Sequence, residues 1–223
     1  RYEQALNYMV MGGIPYYLDK LEKEYTLTEN IDRIFFQNSA IHQEFREVYT
    51  GLYATSERYI DVVKILASKF YGLTRNEIIS ATGIEGGGTL SKIINNLEQS
   101  GIIREYPRYG GKRVETVYQL KDFFTLFYLH FLTRKSTAKG NWKSIQRTAE
   151  FFAWAGHSFE LLSIDHIEKI KEKLRIATID KCFCYTGAAR NGKGAQIDLV
   201  IQWTGERNDY LCEMKFSEQK YTV

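Results

Sequence analysis

The stretch GAQIDLVIQWTGERNDYLCEMKF, Gly194 to Phe216, decides how the chain is read. Two strand-like runs, QIDLVIQW and YLCEMKF, flank the turn-forming TGERND, so an antiparallel hairpin is expected. Side chains two apart on a strand share a face. Glu213 and Lys215 therefore point one way with Leu211, while Cys212 and Met214 point the other. Asp198, on the preceding strand, is expected to approach Glu213 across the pair. Burying one such charge alone costs roughly several kcal/mol, so the three need one another or a metal. Carboxylate oxygens suit Mg²⁺ or Mn²⁺. A cation held by Asp198 and Glu213 polarises a phosphodiester and lowers the pKa of a bound water, and Lys215 is placed to orient that water or neutralise phosphoryl charge. The alternative is a structural ion-pair cluster.

Upstream, IATIDKCFCY reads as a further strand and TGAARNGKG as a loop. Residues 145–174 carry a helical pattern, with Phe159, Leu162 and Ile170 inward and EKIKEKLR as an exposed end. The polar KSTAKGNWKS is the best linker. Helix, strand and hairpin make an α/β unit over 135–223. Its open side needs a covering helix, so the unit is expected to be cut short. Gln196, Arg190 and Lys193 are candidate phosphate contacts. His157 and His166 read as hydrogen-bonding residues before ligands, and Trp142, Trp154 and Trp203 as packing residues.

Over 55–134, Ser56 caps a helix to about Phe70, with Ile60, Val63, Ala67 and Phe70 inward. Thr74 and Glu77 have capping-box spacing ahead of RNEIISA. Thr89 starts LSKIINNLEQS, with Leu90, Ile93, Ile94 and Leu97 as its buried stripe. IIREY and VETVYQL read as strands. Three helices and a hairpin are the order of a winged helix. Lys92, Asn95 and Asn96 lie on the polar face of the third helix. Between positions 104 and 113, Arg104, Arg108, Lys112 and Arg113 stand against Glu105 alone, with Tyr106 and Tyr109 interleaved. Such a tip suits a phosphate backbone; a solvated hairpin on a protein-interaction module is the alternative. KDFFTLFYLHFLTR is too apolar to face water on any side. Residues 1–54 read as a small helical unit. Ala5, Leu6, Met9 and Val10 form one helix, stopped by GGIP. A second spans about Thr28 to Tyr49, with Ile31, Ile34, Phe35, Asn38, Ile41, Phe45 and Val48 on its inner face.

The 223 residues are 44% hydrophobic and 26% charged, an ordinary globular mixture. A net charge of +3 does not argue for nucleic acid by itself. Cys182, Cys184 and Cys212 read as buried thiols in a reducing compartment. No apolar run reaches the roughly 18 residues of a membrane span, and no signal peptide is visible. A cytoplasmic location without a membrane partner is expected. The opening RYEQALNYMV suggests a piece of a longer chain.

Asp198 followed by Glu213-Met214-Lys215 resembles the core motif of the PD-(D/E)xK nuclease superfamily, although Ile197 replaces the usual Pro. A helix before the sheet supplies a further acid in that superfamily, and Glu160 in GHSFELLSIDHIEKI takes that place. YMVMGGIPYYL resembles the lid that follows the nucleotide-binding core of archaeal-type AAA ATPases. The winged helix and the GxxFE…H…GAQIDLVI…LCEMKF run resemble the carboxy-terminal part of the same proteins, the DUF234 family.

The resemblance implies a multidomain α + α/β chain: a helical lid remnant (1–54), a winged helix-turn-helix with the aromatic helix (55–134), and a truncated restriction-endonuclease-like α/β domain (135–223). It implies Mg²⁺- or Mn²⁺-dependent phosphodiester hydrolysis by Asp198, Glu213, Lys215 and Glu160, with Asp198 and Glu213 as metal ligands. The implied partners are double-stranded DNA and an upstream ATPase domain of the same protein. ATP would enter only through that domain, because no GxxxxGK[ST] loop is present; GIEGGG sits between helices with no Lys-Ser or Lys-Thr after it, and RNGKG lacks the hydroxyl residue and strand context. The alternative is a non-catalytic DNA- or protein-binding regulatory region of an ATPase. Oligomeric state stays open.

Overall fold

The spacing of Leu6, Met9 and Val10 produces helix α1 (Tyr2–Met11), which ends on Gly12 at φ 63°. A Cβ at Gly12 would lie 3.4 Å from the backbone nitrogen of Phe124, so glycine supplies both the left-handed turn and the close approach. In the computed structural model, residues 1–38, 40–53, 56–107, 116–133, 141–176, 181–188, 194–203 and 208–218 are described.

A short α2 (Pro15–Leu18) follows. The single helix expected over 28–49 is instead α3 (Leu27–Ile31), a π-helical turn (Asp32–Phe36) and α4 (Ile41–Leu52). Asn38 is the cause. Its Oδ1 accepts the Ala40 N–H at 2.9 Å, and its Nδ2 donates to Glu44 Oε1 at 3.2 Å, a local turn that competes with helix. The break resets the helical phase. Ile41, Phe45 and Tyr49 face inward, whereas Val48, expected inside, is exposed.

Helix α5 (Ser56–Ala67) buries Tyr59, Val62, Val63 and Leu66. Ile60, Ala67 and Phe70 are only half-buried, and the helix stops before Phe70 because the chain turns at Gly72, φ 77°. Next come β1 (Leu73–Thr74), α6 (Arg75–Thr82), α7 (Gly88–Gln99), β2 (Ile103–Pro107) and β3 (Thr116–Leu120). The capping box at the head of α6 forms as expected: Thr74 N–H donates to Glu77 Oε2 at 2.7 Å and Glu77 N–H to Thr74 Oγ1 at 3.3 Å. Such a cap contributes about 1 kcal/mol. Leu90, Ile93, Ile94 and Leu97 of α7 are all buried. β3 is central in an antiparallel sheet of order β1-β3-β2, with Thr74 opposite Val117 and Ile103 opposite Leu120.

The aromatic run forms α8 (Phe123–Phe127) and a π-helical turn (Tyr128–Leu132). It starts at Phe123, two residues later than Lys121, because Asp122 is the N-cap and its Oδ2 accepts the Thr125 N–H at 2.7 Å. Phe127 meets Phe35 at 5.3 Å, Trp142 at 5.5 Å and Trp154 at 5.9 Å between ring centroids. One continuous core therefore runs from Leu6 to Leu161 and includes residues of all three expected segments. Trp142, towards the end of the expected linker, is fully buried in it; residues 135–140 of that linker lie outside the described residues.

Burial raises the carboxyl of Asp122 above the usual range, opposed by its hydrogen bonds to Thr125. The folded state then holds this proton more tightly than the unfolded chain, so stability falls as pH rises from about 3.9 through the raised value. Asp122→Asn keeps an acceptor for Thr125 and removes the titration. Its stability relative to wild type is expected to drop as pH is lowered through that window, in urea titrations at a series of pH values.

Helices α9 (Trp142–Ile145), α10 (Ala149–Asp165) and α11 (Ile167–Leu174) lead to the second sheet. It consists of β4 (Lys181–Ala188), β5 (Gly194–Trp203) and β6 (Asn208–Cys212), antiparallel with β5 central. Ile176, Leu199 and Ile201 form a small second core against Ile164, Ile167, Ile170, Cys212 and Met214. Lys171, expected in an exposed end, is buried with its ammonium 3.1 Å from Glu168. Among the described residues the class is mixed helix and sheet, with two small antiparallel sheets. None of their helices is long and apolar enough to cross a membrane.

Candidate functional site around Asp198

The β5–β6 register pairs Leu199 with Cys212 and Val200 with Leu211. One step further brings position 198 opposite position 213, the approach expected from sequence. The strand expected through Phe216 ends at Cys212, however. The next donor, Met214 N–H, goes to Asp198 Oδ2 at 2.8 Å instead of to a ladder carbonyl. Alternation persists past the strand end: Leu211, Glu213 and Lys215 are exposed, and Cys212 and Met214 are half-buried in the second core.

The three central charges differ in environment. Asp198 is 6% exposed, while the side chains of Glu213 and Lys215 are 58% and 54% exposed. Lys215 Nζ donates to Glu213 Oε1. Burial raises the Asp198 carboxyl; the Met214 N–H opposes this, Glu160 and Glu213 push it further up, and Lys215 draws it down. The Lys215 ammonium is held above its ordinary value chiefly by the hydrogen bond to Glu213, with the charges of Asp198 and Glu160 adding to it. Asp198 and Lys215 thus each feel the other three of the four residues named from the sequence.

Glu160 projects from α10, its side chain 15% exposed and its Oε2 3.4 Å from His157 Nδ1. His157 is buried, its ring 4.1 Å from that of Phe70 and 5.9 Å from that of Tyr71. His166 Nδ1 lies 2.9 Å from the Leu162 carbonyl oxygen, the hydrogen-bonding role expected of it. Phe216 was not foreseen. It stacks on Tyr2 at 4.3 Å and packs against Phe159 at 5.4 Å, which anchors the Glu213–Lys215 segment to α1 and α10. An aromatic residue directly after the Glu-x-Lys triplet was the available signal.

The donor chemistry fits a hard cation, since Asp198, Glu213 and Glu160 offer only carboxylate oxygens. Among the described residues, no three His, Cys, Asp or Glu are grouped so as to hold a metal ion, and Glu213 is turned to Lys215.

The expected nucleic-acid residues divide. Lys92 and Asn95 are exposed on α7. Asn96 instead donates to Tyr59 Oη at 2.8 Å. Arg104 is taken up within the protein: its Nε donates to Gln119 Oε1 at 2.8 Å, and it lies 3.7 Å from Asp165 at the end of α10. Arg75, not singled out before, donates to the Gly86 carbonyl at 2.7 Å and to Ser91 Oγ at 3.0 Å, which fixes the entry to α7. Arg108, Lys112, Arg113, Arg190 and Lys193 lie outside the described residues, as do the side chains of Gln196, Trp203, Cys182 and Cys184. Cys212 is a free, half-buried thiol. Comparison of the chain with protein-family models, with curated proteins and with solved structures finds no match.

Proposed function

We propose that the protein is a nucleic-acid-acting module in which a winged helix, residues 56–120, stands beside a PD-(D/E)xK-like phosphodiesterase site. The observation that carries this reading is the β5–β6 register, which brings Asp198 opposite Glu213, with Lys215 on the same face as Glu213, at the end of a strand pair. Supporting it are the order α5-β1-α6-α7-β2-β3, with its central β3, and the exposed Lys92 and Asn95 on α7. Asp198 and Glu213 would hold Mg²⁺ or Mn²⁺, with the charge of Glu160 adding to the pull on the cation. When bound, such a cation polarises the phosphodiester and acidifies a water. The chain's own residues set the stage. Asp198 presents a buried carboxyl whose ionisation burial opposes and a cation would favour, Lys215 offers its ammonium to a phosphoryl oxygen, and the charge of Glu160 adds to the demand for a cation at Asp198. An upstream ATPase domain, double-stranded DNA as substrate and a cytoplasmic setting belong to this same proposal.

A second reading has its own observation. One oxygen of Asp198 is engaged by Met214 N–H, and Lys215 is engaged by Glu213, an arrangement that suits a retired site in a non-catalytic DNA- or protein-binding regulatory region. The test is cleavage of supercoiled plasmid and of a single-stranded RNA with Mg²⁺ or Mn²⁺. Cleavage is expected, and Glu160→Gln, which removes a supporting carboxylate, is expected to slow it by about 10–100-fold. Absence of cleavage with either cation on both substrates favours the regulatory reading.

A further inference from the structure

Away from the acid cluster, α2, α4 and α8 enclose an open groove of about 620 Å³. Its walls are apolar, yet Glu44, Glu47 and Asp122 also line it, and among the described residues no Lys or Arg lines it. Lys20 lies 3.7 Å from Glu44 and 3.9 Å from the centre of the Tyr16 ring. Glu47 has Gln43 Nε2 at 2.7 Å, and Asp122 has the Thr125 N–H; neither contact is with a cation. The rim is unusual for a protein surface. Tyr16 is 54%, Val48 47% and Leu52 53% exposed. Val48 and Leu52 are four apart on α4 and so form one stripe.

We propose that this groove docks a basic amphipathic helix of a partner protein. Apolar side chains spaced i, i+4 on that helix cover Val48 and Leu52, and a Lys or Arg beside them meets Glu47 and Asp122. Two features select this occupant over a free amine. The apolar rim is a linear stripe with helical spacing rather than a closed pocket, and the carboxylates flank it on both the α4 and the α8 side. Charge complementarity selects a cationic helix over an acidic one. The inference is independent of the phosphodiesterase reading.

The experiment uses two synthetic peptides of about 16 residues, long enough for measurable helix content. Both carry Leu at i, i+4 spacing in an Ala background, one with flanking Lys and the other with Glu at the same positions. Fluorescence anisotropy at low salt is expected to show the Lys peptide binding at least about tenfold more tightly. Leu52→Ser and Val48→Ser, at exposed positions where folding is not at stake, should abolish binding. Asp122→Asn, which keeps the cap on α8, should narrow the gap between the two peptides. Equal binding of both peptides overturns the proposal, as does binding that survives Leu52→Ser. Equally tight binding of n-hexylammonium overturns it in favour of a small-amine site. Self-association that Leu52→Ser removes, without peptide binding, overturns it in favour of an interface between copies.

Discussion

Asp198→Ala is expected to lower metal-dependent phosphodiester cleavage by about 10²–10³-fold, the range found when one charge-stabilising group is removed from an active site. Lys215→Ala is expected to do the same by removing the ammonium proposed to face a phosphoryl oxygen. The two side chains differ in what else they hold. Lys215 is exposed and bonded to Glu213, so its loss should leave stability nearly unchanged. Asp198 is buried and accepts the Met214 N–H, so the alanine variant also releases the segment that carries Glu213 and Lys215. Asp198→Asn separates these roles, because the amide oxygen still accepts from Met214 while the charge is gone. If the charge is what matters, Asn and Ala lose cleavage equally. If only anchoring matters, Asn keeps most of the rate. Variants at both positions that cut like wild type exclude the catalytic reading.

The approach of Asp198 to residues 213–215 was legible because its information is local. Alternation by two fixes which of residues 211–215 face the solvent, and a single hairpin fixes which of them meets Asp198. The same holds for α7, whose stripe of four apolar residues is complete within its own sequence, and for the Thr74–Glu77 cap. What the sequence concealed depends on partners far along the chain or on one competing side chain. Asn38 breaks a helix that hydrophobic spacing alone would continue. Met214 leaves the strand because a carboxylate sixteen residues earlier takes its N–H. Arg104 reads as a phosphate contact until Gln119 and Asp165 take it. Composition marked KSTAKGNWKS as a linker, but nothing local says that Trp142 ends in a cage of Phe127, Phe131, Phe151 and Trp154.

That cage carries the largest expected effect on stability. Trp154 is fully buried and its ring lies 5.2 Å from Phe131, 5.9 Å from Phe127 and 6.0 Å from both Trp142 and Phe151. Trp154→Ala removes the indole from a site whose neighbours come from α8, the π-helical turn after it, α9 and α10 and cannot all collapse into the gap. Such truncations cost about 3–5 kcal/mol, a large part of the roughly 5–15 kcal/mol that holds a domain together. Because Phe127 continues the same contacts to Phe35 in the amino-terminal helices, the loss should spread beyond α10. In urea, far-ultraviolet circular dichroism and protection of the α4 amides from hydrogen exchange are expected to lose the same amount of stability in Trp154→Ala. If α4 keeps its wild-type protection while α10 opens, the boundary near residue 135 is a real break in cooperativity, and the continuous core from Leu6 to Leu161 does not act as one unit.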